Sequence, residues 1–461
     1  MISESIRNIW AIPDLRKRLI FTFAMLAVYR VGCFIPVPGV DAKVLLDLMD
    51  QLSGGGLLGF VNNFTGGSLA RVAVFALGIM PYITASIILQ LLTVVWPYLE
   101  KLSKEGEMGR KKITQYTRYL TVVISAIQST GIAVFLMKTP TPTGAVLVPS
   151  PGIGFIFVTV VTLTTGCAFV MWLGEQISER GIGNGISLII FAGIVVGLIP
   201  ALKDTLGKVS TGQLNILTIL VLSIFMLAVV AFIVYMERGQ RRIPVQYAKR
   251  VVGRKVYGGQ STYLPLRVNT GGVIPVIFAS SVVMVPATIG GFIPYDWIQT
   301  IVNAIRWGQP LYYVLYFIAI IFFSYFYVSI IFNPQDLAEN MRKYGGFIPG
   351  IRPGRRTSDY IDRILTRLTL VGSLYLAAVS ILPDFLLAGV KVASLPLIGA
   401  QLDSILPEWF TNGMGINFRF GGTSLLIVVG VAMDFMQQVE SQLVMRNYEG
   451  FMKKGRIRGR R

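Results

Sequence analysis

The sequence predicts an all-α polytopic membrane protein with ten transmembrane helices and both termini in the cytoplasm. Three observations carry this expectation. The 461 residues are 53% hydrophobic and only 14% charged, with a mean hydropathy of +0.64, whereas a soluble domain carries about a quarter charged residues. Ten separate apolar runs are present, each near the ~20 helical residues needed to cross ~30 Å of hydrocarbon. The basic residues are also partitioned. With the N-terminus inside, 33 Lys and Arg fall in the inner segments and 7 in the outer ones, the bias that fixes orientation in a membrane.

The ten runs are 19–37, 72–96, 117–137, 153–174, 184–202, 214–236, 270–292, 311–332, 365–387 and 421–441. The first, ninth and tenth contain or abut Arg30, Arg367, Asp384 and Asp434. Arg30 and Asp434 fall near span ends, where water and headgroups are expected to solvate them. Met1 to Arg18 is polar, with no small-residue cleavage site after the first apolar run. It reads as a retained cytoplasmic tail, and 442–461 as a basic tail on the same side. The net charge of +19 therefore belongs to inner loops and anionic lipid, not to sequence-specific nucleic-acid binding.

Much chemistry is excluded. There is no histidine, the commonest general base, proton shuttle and metal ligand. Cys33 and Cys167 lie in separate apolar runs, which is neither a disulfide framework nor a metal cluster, and no cofactor site is expected. Gly181-Ile-Gly183-Asn-Gly185 lacks a P-loop lysine and follows a helix rather than a strand; it reads as a helix start with close packing. The interiors of spans 2 to 8 hold no Asp, Glu, Lys, Arg or His, where an ion-coupled transporter normally needs one. No catalytic set presents itself, so the chain is not expected to be an enzyme.

Two inner loops, 237–269 and 333–367, are basic and longer than connection requires, which suits docking of a cytoplasmic partner as well as lipid contact. Between spans 1 and 2, a short apolar stretch is bracketed by Gly54-Gly-Gly56 and Gly66-Gly67. At roughly ten residues it cannot span, so it must lie in the interface or re-enter the membrane. Span 2 contains Gly78-Ile-Met-Pro81-Tyr-Ile83-Thr-Ala85-Ser86 and span 7 contains Gly272-Val-Ile-Pro275-Val-Ile277-Phe-Ala279-Ser280, identical at five of nine positions. An offset of five spans gives two halves of opposite orientation, an inverted repeat that places the working site between them. Each Pro is expected to break or kink its helix. Ile79 and Ile83, like Ile186 and Ile190, share a helix face; taken alone, such a stripe is packing.

Val74 to Gln90 and Trp172 to Ser187, with Glu237-Arg-Gly-Gln-Arg-Arg242, Phe332-Asn-Pro334, Gly350-Ile-Arg-Pro-Gly354 and Phe420-Gly-Gly-Thr-Ser-Leu-Leu-Ile427, resemble the SecY/Sec61-alpha family in order over nearly the whole chain. That family forms the pore of the protein-translocation channel. The resemblance implies a central pore between residues 1–202 and 214–441, hinged at the outer loop 203–213. It implies a pore ring of Ile79, Ile83, Ile186, Ile190, Ile277 and Ile427. A re-entrant plug at about 54–67 would comprise Leu57, Leu58, Phe60, Val61, Asn62, Asn63, Phe64 and Thr65. Docking of the SecA motor ATPase or a ribosome falls to Arg241, Arg242, Lys249, Arg250, Arg254, Lys255, Arg352, Arg355 and Arg356. A lateral gate for signal peptides, between spans 2 and 3 and spans 7 and 8, would carry Ser86, Gln90, Gln128, Thr130, Ser280 and Ser281. The partners so implied are SecE-like and SecG-like small membrane subunits, SecA, the ribosome, preproteins and anionic lipids, in the bacterial inner membrane. An inverted-repeat solute or lipid transporter is the alternative. The outer stretch 384–420 is longer than the resemblance leads one to expect; it reads equally as a tolerated surface insertion, a cap on the outer funnel or a contact for a periplasmic partner.

Overall fold

Each of the ten expected spans falls on a helix. The computed structural model describes residues 12–40, 62, 65–138, 147–212, 216–247, 250–252, 255–257, 261–290, 295–305, 308–389, 411 and 421–454. The helices on the ten runs are α1 (Pro13–Gly32), α2 (Met80–Val95), α4 (Glu107–Lys138), α5 (Ile153–Arg180), α6 (Gly185–Ser210), α7 (Ile216–Arg238), α8 (Ile274–Gly290), α10 (Pro310–Ile331), α12 (Arg355–Ala388) and α13 (Gly422–Lys454). Shorter helices are α3 (Pro97–Lys104), α9 (Asp296–Ala304) and α11 (Pro334–Lys343).

Among the described residues, seven helices are long and apolar enough to cross a bilayer. The bent pair α2–α3, which turns through 99° at Trp96, would make an eighth. The first run does not qualify because α1 starts in the polar tail at Pro13 and includes Arg16, Lys17 and Arg18. Several helices outrun the membrane instead. The 34 residues of α12 extend about 51 Å at 1.5 Å per residue, well beyond the hydrocarbon, and their excess lies at the basic inner end.

The two repeat segments do not kink as expected. In both, the proline is the second helical residue, so each segment starts a helix instead of bending one. A missing N–H costs nothing in that first turn. The glycine three residues earlier has positive φ in both copies, +54° at Gly78 and +60° at Gly272, a conformation open to Gly without steric cost. The second span consequently begins as turns over 74–79 and becomes helical only at Met80. The Gly181–Gly185 stretch is a helix start, as expected. Asn184 Oδ1 accepts from the N–H groups of Ile186 and Ser187 (3.1 and 3.5 Å), satisfying donors that a helix N-terminus leaves open.

Packing within the membrane is by close backbone approach and apolar contact. A Cβ on Gly166 of α5 would run into the Val74 carbonyl oxygen. At the other end of the chain, the Gly422 N–H donates to Asp384 Oδ1 (3.1 Å), placing a buried carboxylate at the N-terminus of α13, where the helix dipole favours it. The Tyr316 and Thr423 hydroxyls meet at 3.0 Å beside it. Asp384 near the end of α12 and Gly422 at the start of α13 thus meet at one point.

Among the described residues, the strands lie outside the apolar runs. β1 (Gln240–Tyr247), β4 (Ser261–Arg267) and β5 (Gly346–Phe347) form a sheet in the order β4-β1-β5, and β2 (Arg250–Val252) pairs with β3 (Lys255–Tyr257). β1 and β4 run antiparallel from Gln240↔Arg267 to Gln246↔Ser261. Ile243 and Val245 alternate inward on β1, the period that makes this loop a strand.

Gly166→Leu is expected to lower the melting temperature of the detergent-solubilised protein by several degrees, because overpacking costs about 1–3 kcal/mol. Gly207→Ala, at a helical position where an added Cβ meets nothing within 4 Å, is expected to leave it unchanged or raise it.

Candidate functional site

The site is an apolar junction. Ile79 precedes α2 and Ile83 lies on its first turn; Ile186 and Ile190 lie on α6, Ile277 on α8 and Ile427 on α13. All six belong to one hydrophobic cluster. Five are no more than 5% exposed, and Ile427 is fully buried; Ile186 packs against the cluster as a half-buried neighbour. α2 packs on α8 and α6 on α13, so residues from both copies of the repeat interlock. Leu188, Val273, Val276, Leu426 and Val431 share the cluster. Nothing in the sequence distinguishes these from ordinary core residues.

The segment leading into Ile79 is held by polar contacts. Thr65 Oγ1 donates to the Asn62 carbonyl (3.2 Å), the Ala70 N–H donates to Asn62 Oδ1 (2.9 Å), and the Ser68 hydroxyl lies 2.8 Å from the Thr65 carbonyl and 2.9 Å from that of Phe75. Arg30 Nη1 donates to the Gly66 carbonyl at 2.7 Å. Arg30 is thus a half-buried structural donor and not simply a headgroup-solvated charge; the carbonyl it meets lies 36 residues away. Its guanidinium and that of Arg71 lie 4.8 and 4.5 Å from the Phe34 ring, within cation–π range. Of the expected plug, Asn62 and Thr65 are buried. Leu57, Leu58, Phe60, Val61, Asn63 and Phe64 lie outside the described residues.

The two basic loops form one body. β1 pairs with β5 through Gln246↔Phe347 and Tyr247↔Gly346. Ile243, Val245 and Leu266 from the first loop share a core with Met341, Ile348 and Ile361 from the second. Arg241 and Arg242 are exposed on β1, as are Arg352, Arg355 and Arg356 at the start of α12. Cations at a helix N-terminus oppose the helix dipole, so local helix stability does not account for Arg355 and Arg356. Arg250 and Lys255 lie on β2 and β3; Lys249 and Arg254 lie outside the described residues.

Of the expected gate residues, Ser86 and Gln90 lie on α2 and Ser280 and Ser281 on α8, two helices that pack together. Gln128 and Thr130 lie on α4, which packs on α2. Their bonding stays within each helix: Gln90 Nε2 donates to Ser86 Oγ (3.3 Å), Thr130 to the Ala126 carbonyl (2.8 Å), and both Ser280 and Ser281 to the Ile277 carbonyl (2.9 and 2.8 Å). The Thr130, Ser280 and Ser281 hydroxyls are satisfied within their own helices and need no partner across the seam, whereas Gln90 Oε1 is buried without a hydrogen-bond partner among the described residues.

On the inner side of the cluster lies a cavity of about 200 Å³, walled by Asn184, Leu188, Glu237, Asn269, Val273 and Asp434 among others. Asp434, expected to be solvated, is half exposed and faces Arg267 at 3.7 Å. Asn269 Nδ2 donates to Glu237 Oε1 at 2.6 Å. Sequence reading took Glu237 as part of a basic motif and passed over Arg267 and Asn269, whose partners are distant in the chain.

Known proteins place this arrangement. The family model described as SecY matches residues 73–436. The protein translocase subunit SecY of Escherichia coli (strain K12) is 50% identical over 450 residues, 97% of this chain and 96% of that one. Its counterpart in Streptomyces galbus is 47% identical over 453 residues, 96% of this chain and 98% of that one. Among solved structures, a protein-conducting channel aligns with a TM-score of 0.60 at 20% identity, covering 92% of this chain and 91% of that one. Sec61 in the canine ribosome-channel complex aligns at 0.58 and 19%, with the same coverage. Family match, near-full-length identity and shared fold agree: the chain belongs to the SecY family.

Proposed function

We propose that the chain is the central pore-forming subunit of the general protein-secretion channel. It passes unfolded preproteins across the bacterial inner membrane and releases signal and transmembrane segments sideways into lipid. The observation that carries this reading is the single apolar cluster into which four helices deliver Ile79, Ile83, Ile186, Ile190, Ile277 and Ile427. The names of its close relatives, protein translocase subunits, support it. Substrates of every charge must pass one constriction, so the constriction has to be uncharged and deformable. A ring of branched aliphatic side chains meets both demands and closes by dewetting. A solute transporter with an inverted repeat would need fixed polar groups at that point, whereas Leu188, Val273, Val276, Leu426 and Val431, which share the cluster with the isoleucines, are aliphatic, and its polar-tipped members are tyrosines such as Tyr312 and Tyr316.

In this reading residues 1–202 and 214–441 are the two halves, joined through 203–213, where α6 continues as helix to Ser210 instead of the expected loop, with both termini cytoplasmic. The plug at about 54–67 closes the outer side, and α2 and α4 part from α8 and α10 to form the lateral gate. Apolar signal segments leave through that gate because burial in lipid is favourable. The shared sheet and the Arg352–Arg356 turn form the docking face for a SecA-like motor ATPase or a ribosome. The chain supplies no energy itself; the partner or the proton motive force does. SecE-like and SecG-like subunits cover its apolar outer helices, and anionic lipids meet its basic inner loops.

Reconstitution into vesicles with the small subunits and motor ATPase is expected to protect a signal-bearing preprotein from added protease. Failure of protection, with movement of a small solute instead, overturns the reading. Ile83→Ser, Ile190→Ser and Ile277→Ser combined are expected to raise resting ion conductance at least severalfold in planar bilayers, since a polar constriction stays wet. Unchanged conductance removes these residues from the seal. Arg352→Glu is expected to reduce motor-driven translocation at least tenfold while the protein accumulates normally in the membrane.

A further inference from the structure

We propose that Arg267 and Asn269 form a mechanical link that carries displacement of the docking sheet to the last span and so to the apolar ring. This rests on the channel reading above.

Arg267 is the final residue of β4, opposite Gln240 at the base of β1. The Val268 N–H donates to the Gly239 carbonyl at 3.0 Å, closing the root of the hairpin. Six residues after that point α8 begins, so any tilt of the sheet pivots about residues 267–269. From this pivot two side chains reach different helices around one cavity. Arg267 Nη2 donates to Gln437 Oε1 at 2.7 Å, and its Nη1 lies 3.7 Å from Asp434 Oδ1; both partners lie on α13. Asn269 Nδ2 donates to Glu237 Oε1 at 2.6 Å and to the Gly272 carbonyl at 3.2 Å, tying the end of α7 to the start of α8.

The two arms differ in strength. Asn269 is 5% exposed, and a desolvated bond to a carboxylate is costly to break because its partner is left buried. That arm fixes the pivot. Arg267 and Asp434 are each more than half exposed, and such a pair contributes little to stability. That arm can yield and re-form, as a coupling element must. Asp434 sits seven residues after Ile427, two turns along the same face of α13. A pull on Asp434 therefore acts on the helix that carries Ile427 into the ring, about 10.5 Å along its axis. Neither Arg267 nor Asn269 is needed for any docking contact above, and the cavity beside them leaves room for the helix to move.

The test uses the complete channel with its small subunits, reconstituted in vesicles, and measures motor affinity and preprotein translocation separately. Arg267→Glu is expected to lower the translocation rate at least threefold at saturating motor, with motor affinity unchanged within twofold. Adding Asp434→Arg, which reverses the pair, is expected to restore at least half of the lost rate. Asn269→Asp, which sets a carboxylate against Glu237, is expected to give the same split between rate and affinity. If Arg267→Glu does not accumulate, Arg267→Gln keeps the length without the charge and is expected to give a smaller fall, again at unchanged affinity. An unchanged rate in the single variants overturns the link. So does loss of motor affinity, which would make Arg267 a docking residue, or failure of the reversed pair to restore the rate. Absence of translocation by the unaltered channel would instead overturn the channel reading itself.

Discussion

A passage for polypeptides of any sequence cannot be closed by charge, and in lipid it cannot be closed by exposed backbone. Every unpaired polar group at membrane depth costs several kcal/mol, and a fixed charge would favour segments of one sign over the other. In the proposed channel, the apolar junction of α2, α6, α8 and α13 answers both constraints together. Its side chains are held at 0–5% exposure for five of the six isoleucines, and its helices satisfy their own backbones. The remaining architecture follows from where this junction must sit. The two copies of the repeat deliver matching helix starts to it, and the basic loops and their sheet lie outside the apolar runs.

That separation explains the small sheet. In the proposed channel a partner needs a rigid, wet, basic surface, while the junction needs dry and yielding packing, and the two cannot share a site. The loops 237–269 and 333–367 solve this by folding on each other, with an apolar core of their own around Ile243 and Ile361. Exposed arginines then stand on a platform, not on flexible connectors. Long inner extensions of α12 and α13 and the root of the β1–β4 hairpin connect platform to junction. Helices α4 and α8, which carry proposed gate residues, show the complementary economy: the hydroxyls of Thr130, Ser280 and Ser281 bond within their own helices.

Legibility in the sequence followed interaction range. The ten helices were legible because hydropathy over ~20 residues is a local property, and so was Asn184 as a helix start. The repeat was legible as matched letters, but its conformation was not. Proline was expected to kink a helix, whereas Gly78 and Gly272 at positive φ end the preceding chain and make Pro81 and Pro275 first-turn residues. The isoleucine positions came from family resemblance, since spacing alone could not separate a ring from packing. Contacts such as Arg30 with Gly66, Arg267 with Asp434 and Asp384 with Gly422 join residues 36 to 167 apart, and no periodicity announces them. The union of the two basic loops was hidden for the same reason.

The central claim is that a translocating chain passes through the isoleucine junction. Site-specific photocrosslinking in a stalled translocation complex tests it most directly, with the probe placed in turn at Ile83, Ile190, Ile277 and Ile427, and at Leu227 on the exposed face of α7 as the control. Adducts to the preprotein from all four junction positions and none from position 227 are the predicted result. Adducts that are absent from the junction, or no stronger there than at position 227, would contradict the account.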